Sequence, residues 1–145
     1  MRGIVGVSLL VAVLGFGCRP ASVGATVSGT LLLDGQPAPA GIAIEFTPKA
    51  SGGSPSNGIT DGSGRYELRF SAYTLGAQPG EHVVTLQIPQ ASNADGTPAG
   101  IPPALSHIRL PASVSGPRAS LTRTVKPGRN RIDIDVATDG AATRE

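Results

Sequence analysis

Few side chains in this sequence are of a type and spacing to do chemistry. Histidine occurs twice, at His82 and His107, and cysteine once, at Cys18. Ser106 directly precedes His107, and sequence neighbours rarely face one another as nucleophile and base. No His-x-His, Glu-x-x-His or Cys/His cluster supplies the ligand spacing of a zinc site. Asp61-Gly62-Ser63-Gly64 begins like a calcium loop, but the further oxygen ligands and the closing bidentate Glu are not at the required spacing. An aspartate capping its own turn is the expectation there. His82 falls on the inward parity of an alternating segment, which makes it a partly buried structural residue. The residues therefore point to no metal, no cofactor and no enzyme.

One group of side chains could bind rather than react. No acidic residue lies between Asp95 and Asp133, and that window holds Arg109, Arg118, Arg123, Lys126, Arg129 and Arg131, half of all the basic residues. Such a stretch can attract an anionic partner such as a phosphate-bearing glycan, a lipid head group or nucleic acid. Arg129 and Arg131 share a strand with Asp133 and Asp135, so pairing can cancel part of that field. The absence of Trp, with two Tyr and three Phe in 145 residues, removes the stacking surfaces that sugars and single-stranded nucleic acids need. The net charge of +2 is too small for a nucleic-acid binder. Residues 1–17 carry only Arg2 among the charged residues, so without them the excess falls to +1.

The first residues read as an export signal. Arg2 stands before Ile4–Phe16, an apolar run broken only by Gly6, Ser8 and Gly15. A spanning helix needs about 20 apolar residues, so the run is too short for one and matches a secretory h-region. It ends in Leu14-Gly15-Phe16-Gly17-Cys18, and a lone cysteine can form no intramolecular disulfide. This ending resembles the lipobox of bacterial lipoproteins. Gly17 supplies the small residue before the cysteine. Gly15 stands where that family prefers Leu, with Leu14 one place early, and Phe16 is bulky for its slot. The resemblance implies a lipoprotein signal peptide over 1–17, a lipid on Cys18 and a tether over 18–24. The protein would then be exported and membrane-anchored in the bacterial cell envelope. Ordinary signal-peptidase cleavage, giving a secreted soluble protein, is the alternative.

The elements that must position these side chains are strands. Twenty glycines and thirteen prolines with few charges disfavour a coiled coil or helical bundle. Period-2 alternation runs through Thr26–Leu33, Gly41–Thr47, Asn57–Thr60, Arg65–Phe70, the segment after Pro79-Gly80, Ser120–Val125 and Arg129–Val136. Asp34-Gly35, Asp61–Gly64 and Pro127-Gly128 punctuate them as turns. About seven strands with one apolar face each imply two sheets packed face to face. The inward set is Val27, Leu31, Leu33, Ile42, Ile44, Phe46, Tyr66, Leu68, Phe70, Val84, Leu86, Ile88, Leu121, Val125, Ile132, Ile134 and Val136. Pro89–Pro117 carries six prolines and little alternation, so it is expected to be either functional or disordered. Residues 138–145 read as a disordered tail.

The order of these motifs resembles a known family. Val27-Ser28-Gly29-Thr30, Leu33-Asp34-Gly35-Gln36-Pro37 and Ile44-Glu45-Phe46-Thr47-Pro48 are similar to the opening of the carboxypeptidase regulatory-like domain. Thr60-Asp61-Gly62-Ser63-Gly64-Arg65-Tyr66 resembles its second hairpin, and Pro79-Gly80-Glu81-His82 the start of its fourth strand. Ile101-Pro102-Pro103 and Val125-Lys126-Pro127-Gly128-Arg129-Asn130 resemble the tail of short bacterial lipoproteins built on it. The resemblance implies a seven-stranded, transthyretin-like (prealbumin-like) β-sandwich over 25–137, an accessory module without catalytic residues. Arg123 departs from the pattern, standing where an inward apolar residue is expected. A hydroxyisourate-hydrolysing enzyme shares that fold, but its C-terminal Tyr-Arg-Gly-Ser is missing, since the chain ends Ala141-Ala142-Thr143-Arg144-Glu145.

The expected function is thus a non-enzymatic, envelope-tethered lipoprotein with a structural, adhesion or assembly role. Its partners would be the membrane, through the lipid, and an envelope protein or glycan, with no nucleic acid. The alternative is a ligand-binding module for an anionic glycan or peptide, using the 89–117 loop and the basic 109–131 stretch.

Overall fold

A computed structural model describes residues 21–138. The expected signal peptide, Cys18 and residues 139–145 of the expected tail lie outside the described residues. The strands are β1 (Ala21–Ser22), β2 (Ala25–Leu33), β3 (Gln36–Pro37), β4 (Ala43–Pro48), β5 (Ser56–Ile59), β6 (Arg65–Glu67) and β7 (Arg69–Ser71). They continue with β8 (Thr74–Leu75), β9 (Gly80–Gln87), β10 (Ala91–Ser92), β11 (Pro98–Gly100), β12 (Thr122–Val125), β13 (Gly128–Arg131) and β14 (Ile134–Val136).

The larger sheet has the order β1-β8-β7-β5-β4-β9-β12. The smaller is centred on β2, flanked by β13 and β14 on one side and by β3 and β6 on the other. Both sheets turn their apolar faces into one core. Val27, Leu31 and Ile134 from the smaller sheet are fully buried with Ile44, Phe46, Val84 and Leu86 from the larger. The Phe46 and Tyr66 rings meet across the sandwich at 6.4 Å between centroids. The fold is an all-β sandwich, as the alternation implied.

The strand count is higher than seven partly because two expected strands are broken, and the first break joins the sheets. Arg65–Phe70 divides at Leu68. Its N–H donates to Val27 O of the smaller sheet at 2.9 Å, while its C=O accepts from Gly76 N at 2.7 Å on the larger-sheet side. Gly76 is required there: its φ is +95°, and a Cβ would lie 1.7 Å from Ala25 O. Arg129–Val136 divides at Ile132-Asp133, although β13 and β14 keep the same parallel register on β2. The remaining extra strands are two- or three-residue pairs at the margins.

Thirteen of the seventeen expected inward residues are buried. Ile88, Leu121 and Ile132 are partly buried against the core. Phe70 is a correction: past the Leu68 break it is only half-buried, and it lines a surface hollow instead. Arg123 is explained by its place, since β12 is the outer strand of its sheet. His82, expected to be partly buried, is 1% exposed.

The Pro89–Pro117 segment is neither one loop nor one behaviour. Residues 91–100 form a fully exposed β10–β11 ribbon. The following residues cover the core: Leu105, Ile108 and Val114 are buried, and Val114 O accepts from Leu86 N at 2.6 Å. The alternation missed these three because turns, rather than a strand, present them.

Candidate functional site

The six basic residues singled out from the sequence are distributed rather than gathered. Arg109 lies on the covering segment, its Nη1 donating to Ser106 O at 2.9 Å and Ile108 O at 3.3 Å. Arg118 closes a single turn of 3-10 helix, Gly116–Arg118. Arg123 is half-buried on β12, and its Nη1 donates to Thr122 O at 2.8 Å. Lys126 occupies the corner between β12 and β13, where the chain passes from one sheet to the other. That corner is held by Asn130, whose Oδ1 accepts from Lys126 N (2.9 Å) and whose Nδ2 donates to Lys126 O (2.7 Å). Only Arg129 and Arg131 share one exposed face, that of β13.

The most elaborate polar arrangement lies where β13 gives way to β14. Ile132 N donates to Ser28 O at 2.8 Å, continuing the ladder. The Ile132 carbonyl then leaves the ladder and accepts the Tyr66 phenol at 2.6 Å. Asp133 replaces the lost acceptor, its Oδ1 receiving the Thr30 N–H at 2.8 Å. Its Oδ2 pairs with Arg131 Nε at 3.2 Å. Gly29 makes the exchange possible, since a Cβ there would lie 1.8 Å from Ile132 O. Burial pushes the Tyr66 hydroxyl well above its ordinary pKa; the nearby Asp133 charge adds to the shift and Arg123 opposes it. Tyr66 is therefore a neutral donor across the physiological range.

Beside this exchange the outer face of β2 forms a hollow of about 290 Å³, lined by Ser28, Gly29, Thr30, Arg65, Tyr66 and Arg131. Cross-strand register sets the lining. Arg65 lies opposite Thr30 on one side of β2, and Arg131 opposite Ser28 on the other. Arg65 escaped the sequence reading because it is far from the basic window in the chain. The signal was its alternation with Tyr66 just after the Asp61 turn.

The remaining candidates are structural. Asp61 Oδ1 accepts from Ser63 N, Ser63 Oγ and Arg65 N at 2.8, 2.8 and 3.0 Å, the self-capped turn expected. These bonds hold its carboxyl below the usual range, as bonds from Thr138 do for Asp34 and from Thr97 for Asp95. Ser106 Oγ donates to Pro103 O at 2.9 Å. His82 packs on Phe46 with 6.0 Å between centroids, its Nδ1 3.0 Å from Gly80 O. No grouping of three or more metal-ligating residues occurs among the described residues. No helix among them is long and apolar enough to cross a membrane.

No protein-family model and no curated protein matches the chain. Among solved structures it is similar to BcpA, the major pilin subunit of Bacillus cereus. There the TM-score is 0.42 and the identity 12%, over 79% of this chain and 30% of that one. It is also similar to a 9R-lipoxygenase from Cyanothece PCC8801, with TM-score 0.40 and 14% identity over 90% of this chain and 18% of that one. The chain spans less than a third of either neighbour's length. Likeness at this level transfers no function.

Proposed function

We propose that the chain is an exported envelope lipoprotein, tethered through Cys18, whose single sandwich has a non-enzymatic structural, adhesion or assembly role. Its finer family is the carboxypeptidase regulatory-like, transthyretin-like group that the motif order resembles. One observation carries the non-enzymatic part: the best-placed polar side chains hold the protein's own backbone. Tyr66 binds Ile132 O, Asp133 binds Thr30 N, Asp135 binds Gly35 N, and Thr60 binds Pro39 O and Ile42 N. Asp34 binds Thr138, and Asn130 closes the Lys126 corner. Groups locked in this way position strands and are withdrawn from proton transfer. The spread of Arg109, Arg118, Arg123, Lys126, Arg129 and Arg131 over several elements favours this reading over collective anion binding by the 109–131 stretch.

The tether is tested by fractionating the producing cells. Wild-type protein is expected in the membrane fraction and to incorporate labelled fatty acid, whereas Cys18→Ser should be unlabelled and move to the soluble fraction. Full membrane retention of Cys18→Ser would remove the lipid anchor from this reading.

A further inference from the structure

We propose that the hollow between Arg65 and Arg131 binds a tetrahedral oxyanion, a phosphate group presented by a lipid head group or by a small soluble molecule. The site shares only Arg131 with the basic stretch seen in the sequence. It stands whether or not Cys18 carries a lipid.

The first support is the inventory of donors. The ion pairs among the described residues are Lys49–Glu81 and Arg131–Asp133, so Arg65 makes no ion-pair contact there, although the Asp61 carboxylate lies near enough to feel its charge. Arg131 meets Asp133 through Nε, which leaves its two terminal nitrogens for another acceptor. The side-chain hydroxyls of Ser28 and Thr30, on the strand between the two arginines, complete the lining.

The second support is the state of the acceptors. Asp133 lies beside the hollow, but Thr30 N occupies its Oδ1 and Arg131 its Oδ2. The Tyr66 hydroxyl faces inward to Ile132 O. Glu67 lies across from Ser28, yet it lines the neighbouring hollow with Asn57, Arg69 and Phe70. What remains unengaged in the Arg65–Arg131 hollow is a set of donors.

Geometry then selects the ligand. Donors come from three strands: Arg65 from β6, Arg131 from β13, and the hydroxyls from β2. A phosphate offers three or four oxygens to such an arrangement, a carboxylate only two, and guanidinium forks suit phosphate oxygens well.

The test titrates the full-length protein, in non-ionic detergent, with inorganic phosphate, glycerol phosphate and acetate, following the amide resonances of Gly29, Thr30 and Arg65. Saturable shifts with both phosphates are expected, with acetate at least ~10-fold weaker. Arg65→Gln should weaken phosphate binding at least ~10-fold, while Arg129→Gln, on the same strand face outside the hollow, should change it by less than about 2-fold. Amide spectra unchanged away from the hollow will show that both variants fold. Adding phosphatidylglycerol to the micelles separates the sources. Saturation by the lipid supports a head group, and saturation by the soluble phosphates alone supports a soluble ligand. Absence of saturable shifts, equal loss in both variants, or acetate binding as tightly as phosphate would each overturn the site.

Discussion

Three threonine amides among the described residues donate to aspartate carboxylates, and those of Thr30 and Thr97 have contrasting settings. Thr30 N bonds Asp133 Oδ1 at 2.8 Å, joining residues 103 apart in the chain. Thr97 N bonds Asp95 Oδ1 at 3.0 Å, two residues away. Donor and acceptor chemistry is identical. Around Thr30, the bond closes a gap in the β2 ladder, next to buried Tyr66 and a glycine that admits no Cβ. Around Thr97, the bond shapes the tip of a ribbon whose residues 91–100 are all exposed. Both bonds are exposed, yet a hydrogen bond tied into a long-range network opens with the strands it joins, whereas a local one opens alone.

Mutations should separate the two regions by size of effect. Gly29→Ala forces a methyl group onto Ile132 O and should destabilise the protein by about 3 kcal/mol or more, read by denaturant midpoint. Leu105→Ala, on the segment just beyond the ribbon, opens a core cavity and should cost about 2–4 kcal/mol in the same measurement. Tyr66→Phe leaves the Ile132 carbonyl without its donor and should cost about 1–3 kcal/mol. Replacing Ser92–Ala99 by two glycines should shift stability by no more than about 0.5 kcal/mol, because every residue of the ribbon is exposed. A ribbon deletion as costly as Leu105→Ala would erase the distinction between these adjoining segments.

The parts of this fold legible in the sequence are those that local pattern dictates. Alternation placed Val27, Leu31, Phe46, Val84 and Ile134 in the core, and Asp34-Gly35 read as a hairpin turn that does join β2 to β3. Asp34 adopts φ +52° there, the left-handed conformation such a turn needs. The breaks at Leu68 and at Ile132-Asp133 were not legible, since the first depends on which sheet each flanking segment joins and the second on the Tyr66 and Thr30 groups that distant parts of the chain bring to the strand. Leu105, Ile108 and Val114 were hidden because a turn-rich segment has no period to betray its buried side. The Arg65–Arg131 hollow was equally hidden. Its two arginines are distant in the chain, and only the register of β6 and β13 on β2 brings them to one face. Conversely, the basic residues adjacent in sequence were dispersed by a corner at Lys126 that sends β12 and β13 to different sheets.

Native-state hydrogen exchange of the two threonine amides tests the central claim, that the Tyr66–Ile132–Asp133 exchange locks β14 and β13 onto β2. Thr30 should exchange at least ~10³-fold more slowly than Thr97, through openings close to global unfolding. Thr30 and Thr97 exchanging at similar rates would contradict the lock.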